Sequence, residues 1–462
     1  MGAVVTAASQ GLPGEGEEWS MTGHFGRFRR LVAIVVLLAG AVLAVVTLSG
    51  VLSGRGDSAP DAASVVPQVG RHDLNAVIYA TQDKLRRLPG DAVSWARLGA
   101  AYVEQARITA DPLFYAKAQS ALEKSLQLVP LDNVFAMIGM GQLANARHDF
   151  AAGQRWGEQA KALRPGTAEI YGVLADALTQ LGDVNGATTT VQSMLDIHPG
   201  VASFTRASYD LELHGRVEDA RSALERALGV SASPDDVAFC RYYLGELAFN
   251  AGQLDEASNQ YHQGLLAVPG NVALLHGTAK VAAATGNVPD ALAGYAQITS
   301  RVPLPQYVLE YGELLESVGQ GPQARGQYDL LTAQQQLYAA QGSVDDLVAS
   351  QVAADHGNPT DALRSAQREW TRRQSVFSAD ALAWALHVNG RDSDALAYAD
   401  KAAALGWRNA TFAYHRGMIL TSLGRAVDAR AALSQALVIN QHFSPLAAPR
   451  ARQTLAELGG PR

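Results

Sequence analysis

The feature that most constrains this 462-residue chain is a short phrase that recurs along most of its length. In each copy a glycine is followed five residues later by an alanine, as in "FNAGQLDEASNQY" at residues 249–261. The glycines are Gly182, Gly215, Gly252, Gly286, Gly319, Gly357, Gly390 and Gly424. Their successive spacings are 33, 37, 34, 33, 38, 33 and 34 residues. A period of this size indicates an array of structural repeats rather than two or three unrelated domains.

Small side chains flank each glycine of the phrase. Around Gly182, Ala175 lies seven residues before and Ala187 five residues after. Glycine can adopt a positive φ at the end of a helix, and small side chains on two helices let their backbones approach closely. Each copy therefore predicts a helix hairpin with a tight turn at the glycine. Stacked hairpins that cover one another's apolar faces form an all-α solenoid.

The units also share bulky and closing residues. The first unit contains Trp95, Leu98, Gly99, Tyr102, Ala118, Leu122 and Pro130. Later units repeat the closing proline at Pro165, Pro199, Pro269 and Pro303, and place an aromatic on the second helix at Tyr261, Tyr295 and Tyr328. The second unit has His148 where the turn glycine is expected. With these positions the chain resembles the tetratricopeptide repeat (TPR) family, and its layout resembles bacterial TPR proteins that are anchored in a membrane by one helix.

The resemblance implies a right-handed superhelical solenoid of about ten helix hairpins. The repeats run from about residue 92 to residue 440, inside a solenoid of residues 74–458 with a capping helix at 445–458. Such caps protect the apolar surface at the end of a stack. Between the seventh and eighth units the second helix can run from Pro322 to about Ala340, before Gly342 stops it. We interpret this irregularity as either a hinge or an exposed ridge.

A second feature lies before the repeats, where residues 31–52 form an uncharged run of 22 residues. At a rise of ~1.5 Å per residue a helix of this length spans about 33 Å, enough to cross a hydrocarbon core of roughly 30 Å. The run is longer than the apolar region of most signal peptides, although "SAPDAAS" beyond it leaves cleavage open as an alternative. We therefore expect one transmembrane helix at 31–52.

Flanking charges predict the orientation of this helix. Arg27, Arg29 and Arg30 precede it, whereas only Arg55 lies close on the other side. The positive-inside rule places residues 1–30 in the cytoplasm. Residues 53–73 are rich in Gly, Ser, Ala and Pro and predict a flexible linker. The expected localisation is the cell membrane, with a single pass and an extracytoplasmic solenoid.

Composition and motifs exclude several classes of function. The net charge is −7 without a basic stripe, so we expect no nucleic-acid partner. The single Cys240 can form neither an intramolecular disulfide nor a Cys-x-x-Cys site. No nucleotide-loop, zinc-protease, hydrolase or dinucleotide motif is present. The polar pair Asp355–His356 is interpreted as part of a helix end, and we expect no enzyme activity, no cofactor, no metal and no small-molecule substrate.

The resemblance also implies where a partner binds, because the first helix of each TPR hairpin lines a concave groove. The inward positions expected to form this partner-binding groove are Asp176, Tyr209, Glu212, Tyr242, Glu246, Phe249, His276, Lys280, Glu313, Glu316, Trp384 and Tyr414. Rings and glutamates suit a protein or peptide with basic or apolar segments. The alternative for any one of them is packing between neighbouring repeats. The predicted hot region comprises Tyr242, Glu246, Phe249, Lys280 and Glu313.

Two functions are compatible with these patterns. The first is a membrane-tethered scaffold or adaptor whose groove recruits a protein or peptide at the cell envelope. The second is a structural accessory subunit of an envelope enzyme, secretion or transport complex, in which the groove stays empty. The uncharged span and the repeat array favour the first.

Overall fold

The structure is a computed structural model that describes residues 71–343 and 345–460. All regular secondary structure in these residues is α-helical, so the predicted all-α class is confirmed. The helices are α1 (Arg71–Arg87), α2 (Ala92–Thr109), α3 (Leu113–Leu128), α4 (Val134–Ala146), α5 (Phe150–Leu163), α6 (Ala168–Leu181), α7 (Val184–Ile197), α8 (Val201–Leu213), α9 (Val217–Gly229), α10 (Pro234–Asn250), α11 (Leu254–Ala267), α12 (Val272–Ala284), α13 (Val288–Arg301), α14 (Pro305–Ser317), α15 (Gly321–Ala340), α16 (Asp346–His356), α17 (Pro359–Arg372), α18 (Val376–Val388), α19 (Asp392–Ala402), α20 (Ala410–Ser422), α21 (Ala426–Ile439) and α22 (Ala447–Glu457).

Capping residues in the sequence set where many of these helices begin. The side chains of Asp149 and Asp183 accept hydrogen bonds from the free backbone N–H groups at the starts of α5 and α7, and Asn409 does the same for α20. Pro234 and Pro305 occupy the first turns of α10 and α14, where no intrahelical N–H is needed. These signals lie in the loops between helices, so each hairpin is delimited locally.

Consecutive helices from α2 to α21 pair into hairpins that stack in chain order. Each hairpin packs on the next, α1 packs on α2 at one end, and α22 packs on α20 and α21 at the other. The described helices therefore form a helical solenoid, as the sequence predicts. The right-handedness of its superhelix stays a prediction.

A large side chain from the second helix of a hairpin fits between two glycines on neighbouring first helices. The ring of Tyr261 on α11 lies where side chains at Gly245 on α10 and Gly277 on α12 would otherwise stand. In the first hairpin Leu122 lies against Gly99 and Gly139 in the same way. Small residues at these positions thus let each second helix contact two first helices at once.

Most interhelix turns use the left-handed glycine that the sequence predicts. Gly182 and Gly215 have φ of 87° and 71°. At the turn without a glycine, His148 itself adopts φ 62° and stacks on Phe150. Gly357 departs from the expectation with φ −135°. The position still favours glycine, because a Cβ would lie 3.1 Å from the Ala353 backbone, a tight contact.

The solenoid returns on itself, and turns of its first half meet loops of its second half. The backbone N–H of Gln374 donates to Leu181 O at 3.4 Å, and Asn440 Nδ2 donates to Phe249 O at 2.8 Å. Between these two contacts, the turn at Gly215 lies against the backbone of Gly406. Three successive turns therefore contact three successive inter-hairpin loops in register.

Polar and apolar side chains reinforce this contact between distant repeats. Arg373 Nη1 donates to Gln180 Oε1 at 2.6 Å across 193 residues of sequence. Beside it, one apolar cluster joins first-half and second-half side chains, among them Phe204, Leu213, Phe377, Trp407 and Phe412. The C-terminal hairpins thus pack against the inner side of the hairpins formed by α8 to α11.

The long α15 marks the junction between the seventh and eighth hairpins. Its 20 residues end at Ala340, as the sequence predicts, and Gly342 follows with φ 78°. Near its end, Tyr338 donates a hydrogen bond to Ala110 O at 3.3 Å in the first hairpin. The extra turns of α15 therefore connect to the start of the array.

The predicted transmembrane helix at 31–52 lies outside the described residues, as do residues 1–30 and nearly all of the 53–73 linker. Among residues 71–343 and 345–460, no helix combines the length and the apolar character needed to cross a bilayer.

Replacing Gly182 by alanine should destabilise the fold more than the same change at Gly286. Both glycines have positive φ, 87° and 81°, so each substitution costs about 1 kcal/mol in backbone strain. A methyl group at Gly182 would also collide with the backbone of Gln374, whereas Gly286 has no atom within 4 Å. We expect an additional loss of about 1–3 kcal/mol for Gly182→Ala, measured from urea unfolding midpoints. Equal losses in the two variants would contradict the contact between repeats.

Candidate partner-binding groove

The predicted groove residues lie in several environments, and some form contacts between neighbouring first helices. Asp176 on α6 accepts two hydrogen bonds of 2.7 Å from the guanidinium of Arg206 on α8. Both side chains are buried, and loss of water raises the pKa of Asp176 in spite of the arginine. This pair links the third and fourth hairpins, as the structural alternative from the sequence predicts.

Trp384 and Tyr414 also lie between neighbouring repeats. The indole of Trp384 on α18 stacks on His415 of α20 at 4.1 Å and donates to Asp355 Oδ1 at 2.7 Å. Tyr414 packs against Trp384 and Phe443. Both predicted residues are buried by these contacts.

The groove positions of α8 and α10 are covered by the chain's own C-terminal hairpins. Tyr209, Tyr242 and Phe249 are buried in the apolar cluster that also contains Phe377 and Trp407. Phe249 also lines the cavity described below, whereas a partner can touch Tyr209 and Tyr242 only where the C-terminal hairpins move away. Their role in partner binding stays a prediction.

Glu246 and Lys280, two residues of the predicted hot region, bind each other. Lys280 Nζ on α12 donates to Glu246 Oε2 on α10 at 2.8 Å, and Tyr261 donates to the other carboxylate oxygen at 2.6 Å. The ammonium group also lies 4.3 Å from the centre of the Phe249 ring. Glu246 is fully buried, so the carboxylate depends on these donors.

The next pair along the groove repeats this arrangement one hairpin later. His276 Nε2 lies 2.5 Å from Glu310 Oε2, and Tyr295 donates to the same oxygen at 2.8 Å. Burial raises the pKa of Glu310, but the charges of His276 and Lys280 outweigh it and bring the value to about 2. The ring of His276 also packs against Tyr307, tilted by 30° with the ring centroids 4.3 Å apart, and its side chain is fully buried.

Glu313 and Glu316 on α14 meet His356 at the junction of the seventh and eighth hairpins. His356 lies 3.6 Å from Glu313 Oε1 and 3.2 Å from Glu316 Oε2, and its ring stacks on Tyr328 at 4.1 Å. Burial alone would lower the pKa of His356, but the two carboxylates raise it. Asp355–His356 therefore contributes to the contact between hairpins.

A cavity of about 370 Å³ lies beside these pairs. One wall comes from α10, α12 and α14, including Lys280, Glu310 and Glu313. The opposite wall comes from the loop after α19 and the segment between α21 and α22, including Trp407 and Phe443. It is a candidate site, because a cavity with apolar walls and a few convergent polar groups suits a bound side chain or peptide segment.

Glu212 lines this cavity without a full set of partners. Its side chain is 3% exposed, and Oε2 has no hydrogen-bond partner. Burial raises the pKa of Glu212 to about 7, while the nearby Trp407 indole and Asn250 amide lower it in part. The carboxyl therefore changes charge near neutral pH.

The C-terminal wall of the cavity was not predicted. Trp407, Asn440 and Phe443 lie in loops between helices, outside the first-helix positions that the TPR resemblance selects. Their sequence signal is the presence of large rings in connections, "GWRN" and "NQHFSP", that would be polar if they faced only water. Such rings indicate loops that pack against another part of the chain.

Glu212→Gln should remove part of the pH dependence of stability. Folded Glu212 keeps its proton to about pH 7, whereas an unfolded glutamate loses it near its ordinary value of 4.5. The folded state therefore binds more protons across this window, and the free energy of unfolding falls as pH rises from 4.5 to 7. We expect the variant to gain about 2–3 kcal/mol over the native chain between pH 4.5 and pH 8, in urea titrations. Asp345, whose pKa burial also raises to about 7, should keep a residual slope in the variant. A variant curve parallel to the native one would refute the assignment.

Comparison with known proteins identifies the repeats. A family model described as "Tetratricopeptide repeat" matches residues 208–267 and 242–304. The cellulose synthase 1 operon protein C of Komagataeibacter xylinus is 26% identical over 197 residues, which are 43% of this chain and 13% of that protein. The chain thus spans about an eighth of the length of that curated relative.

Solved TPR structures overlap the chain in part. A thermophilic TPR protein of Thermus thermophilus is 22% identical, covers 40% of this chain and 94% of its own, and superposes with a TM-score of 0.35. PilW, a widely conserved type IV pilus biogenesis factor, is 19% identical, covers 49% and 97%, and has a TM-score of 0.37. Neither superposition reaches a TM-score of 0.5, so neither assigns a function. Residues 208–304 of the solenoid, from within α8 to just past the end of α13, are tetratricopeptide repeats.

Proposed function

We propose that the chain is a TPR-type protein-interaction scaffold that is held at a cell membrane and captures a segment of a partner protein. The observation that carries the proposal is the cavity of about 370 Å³ between α10, α12 and α14 and the C-terminal loops. It combines ring walls with carboxylates on the inner side of the repeats, where TPR proteins offer a binding surface.

The accessible part of this surface is the region of α12 and α14. Glu316 retains 44% of its side-chain exposure, and Ser317 and Val318 are exposed beside it. By contrast, α8 and α10 are covered by the C-terminal hairpins. A partner segment would therefore enter along the end of α14 and reach inward past Lys280 toward Phe249.

Acidic and apolar groups along this path support a partner with basic or apolar segments. Glu310 and Glu313 line the cavity, and burial raises the pKa of Glu313 with only partial compensation from His356. A basic side chain would stabilise the charged form of such a carboxyl. The sequence contains no catalytic motif, so we assign the chain no enzymatic step.

The proposed location is the cell envelope. It rests on the uncharged span at 31–52 and on the arginines that precede it. The curated relative is named for a cellulose synthase operon. In this proposal the partner is another protein of the cell envelope.

One observation favours the second candidate function, a structural accessory subunit. The groove of α8 and α10 is filled by the chain's own hairpins, which gives the solenoid a fixed shape at that point. A fixed solenoid can support an enzyme, secretion or transport complex through its outer surface alone. The two candidates differ in whether blocking the cavity matters.

Ser317→Trp should abolish partner capture, because an indole at this exposed cavity residue fills the entrance. Ser300→Trp is the matched control: Ser300 is also exposed near a helix end, its hydroxyl also donates to the carbonyl three residues before it, and it lies outside the cavity lining. The measurement is crosslinking of the tagged full chain in native membranes, followed by quantification of the captured protein. We expect at least a tenfold loss for Ser317→Trp alone. Equal capture by the two variants would favour the accessory-subunit function.

The orientation can be tested with a reporter enzyme that is active only outside the cytoplasm. Fused after Arg462, it should be active in the native chain, because the charge distribution places the solenoid beyond the membrane. Deleting residues 31–52 should abolish its activity. A reporter that works only in the cytoplasm would reverse the proposed topology.

A further inference from the structure

We infer that the cavity recognises a cationic group, a primary ammonium or a guanidinium, and that the carboxylate of Glu212 is its counter-ion. The inference rests on the proposed function, since it names the chemistry of the group that the partner inserts. It gives a specific role to Glu212, which the sequence analysis predicted only as one of twelve groove positions.

One carboxylate oxygen of Glu212 lacks a hydrogen-bond donor. The side chain lines the cavity, is 3% exposed and has one oxygen, Oε2, without a hydrogen-bond partner. Buried carboxylates in folded proteins are normally satisfied by several donors. Glu246, for comparison, accepts from both Tyr261 and Lys280. A donor that enters from the cavity and reaches this enclosed oxygen would complete the set at Glu212.

The charges around Glu212 leave an excess of negative charge at the inner end of the cavity. Lys280 lines the same space, but its ammonium is already bound to Glu246 at 2.8 Å. Glu310 is likewise paired with His276. Arg408 and Arg452 line the cavity too, and both are exposed, so their charges are largely met by water. Glu212 therefore lacks a cation of its own.

The walls suit the alkyl stem and the charged head of such a ligand. Trp407, Phe249 and Phe443 all line the cavity, and the Trp407 indole lies close enough to Glu212 to lower its pKa. The site already holds one ammonium against a ring, since Lys280 Nζ lies 4.3 Å from the centre of Phe249. Cations bind aromatic faces with useful strength when water is excluded.

The charge state of Glu212 makes this binding dependent on pH. The groups that act on it are Tyr209 on its own helix, Asn250 and Glu246 from α10 and Trp407 from the loop after α19. Lys280, Arg408, Arg452 and His442 lie elsewhere in the cavity lining. Burial and the like charge of Glu246 raise its pKa to about 7. A cation binds the ionised form, so binding releases a proton and tightens as pH rises from about 5.5 to 8.

The test uses two small probes of equal shape, n-butylguanidinium and the neutral n-butylurea, titrated against the full chain and followed by ligand-observed NMR. At pH 8 we expect the guanidinium to bind at least tenfold more tightly than the urea. Glu212→Gln should remove this preference and leave the urea unaffected. In the native chain the preference for the guanidinium should be about tenfold smaller at pH 5.5 than at pH 8. In Glu212→Gln the two probes should bind with similar affinity at both pH values.

Glu218→Gln is the matched control, because Glu218 lies on the neighbouring α9 with 78% of its side chain exposed. It should behave as the native chain. Equal affinities for the two probes, a preference that survives Glu212→Gln, or no guanidinium binding at millimolar concentration would each overturn the inference. Partner capture that is lost in Ser317→Trp but kept in Glu212→Gln would sink the inference alone. Guanidinium binding with capture unaffected by Ser317→Trp would instead sink the proposed function.

Discussion

The stacking of the solenoid depends on small residues that leave space for a large side chain of the second helix, and at two hairpins one side chain fills the space of two glycines. Tyr261 contacts both Gly245 and Gly277, which lie on successive first helices. The same ring therefore sets the distance between the helices of its own hairpin and the step to the next hairpin. Because protein interiors are close-packed, a side chain at either glycine would change both distances together. Leu122 makes the same arrangement with Gly99 and Gly139 in the first hairpin, in phase with the period of about 34 residues.

The displacement from one hairpin to the next also determines which distant hairpins contact each other. The turns at Gly182, Gly215 and Gly252 lie against backbone at Gln374, Gly406 and Asn440. These contacts cover the inner faces of α8 and α10 and form one wall of the cavity. Glu212 becomes buried through them, and its pKa near 7 follows from the loss of water rather than from any neighbour in its own hairpin.

The sequence predicts the features that depend on one repeat or on two adjacent repeats. The hairpins, the turn at Gly182 and the length of α15 are set within a few tens of residues. Even the pairs Glu246–Lys280 and His276–Glu310 could have been found, because each joins positions 34 residues apart on neighbouring first helices. The docking of Asn440 on Phe249 could not, since it depends on small rotations summed over the hairpins between them. For the same reason the covering of the groove positions on α8 and α10 could not be predicted from the repeats alone.

The hydrogen bonds Asn440–Phe249 and Arg373–Gln180 join residues 191 and 193 positions apart in the sequence. Such contacts change how the chain unfolds. An open solenoid has only neighbouring contacts, so its ends can unravel one unit at a time. Here the C-terminal hairpins pack against the middle ones, and Tyr338 forms a hydrogen bond to the first hairpin. The C-terminal hairpins are therefore stabilised by contacts with distant repeats as well as by contacts with their neighbours, like hairpins inside an array. Loss of order should spread across the described repeats as one cooperative event, and assembly should be slowed by the long loops that close late.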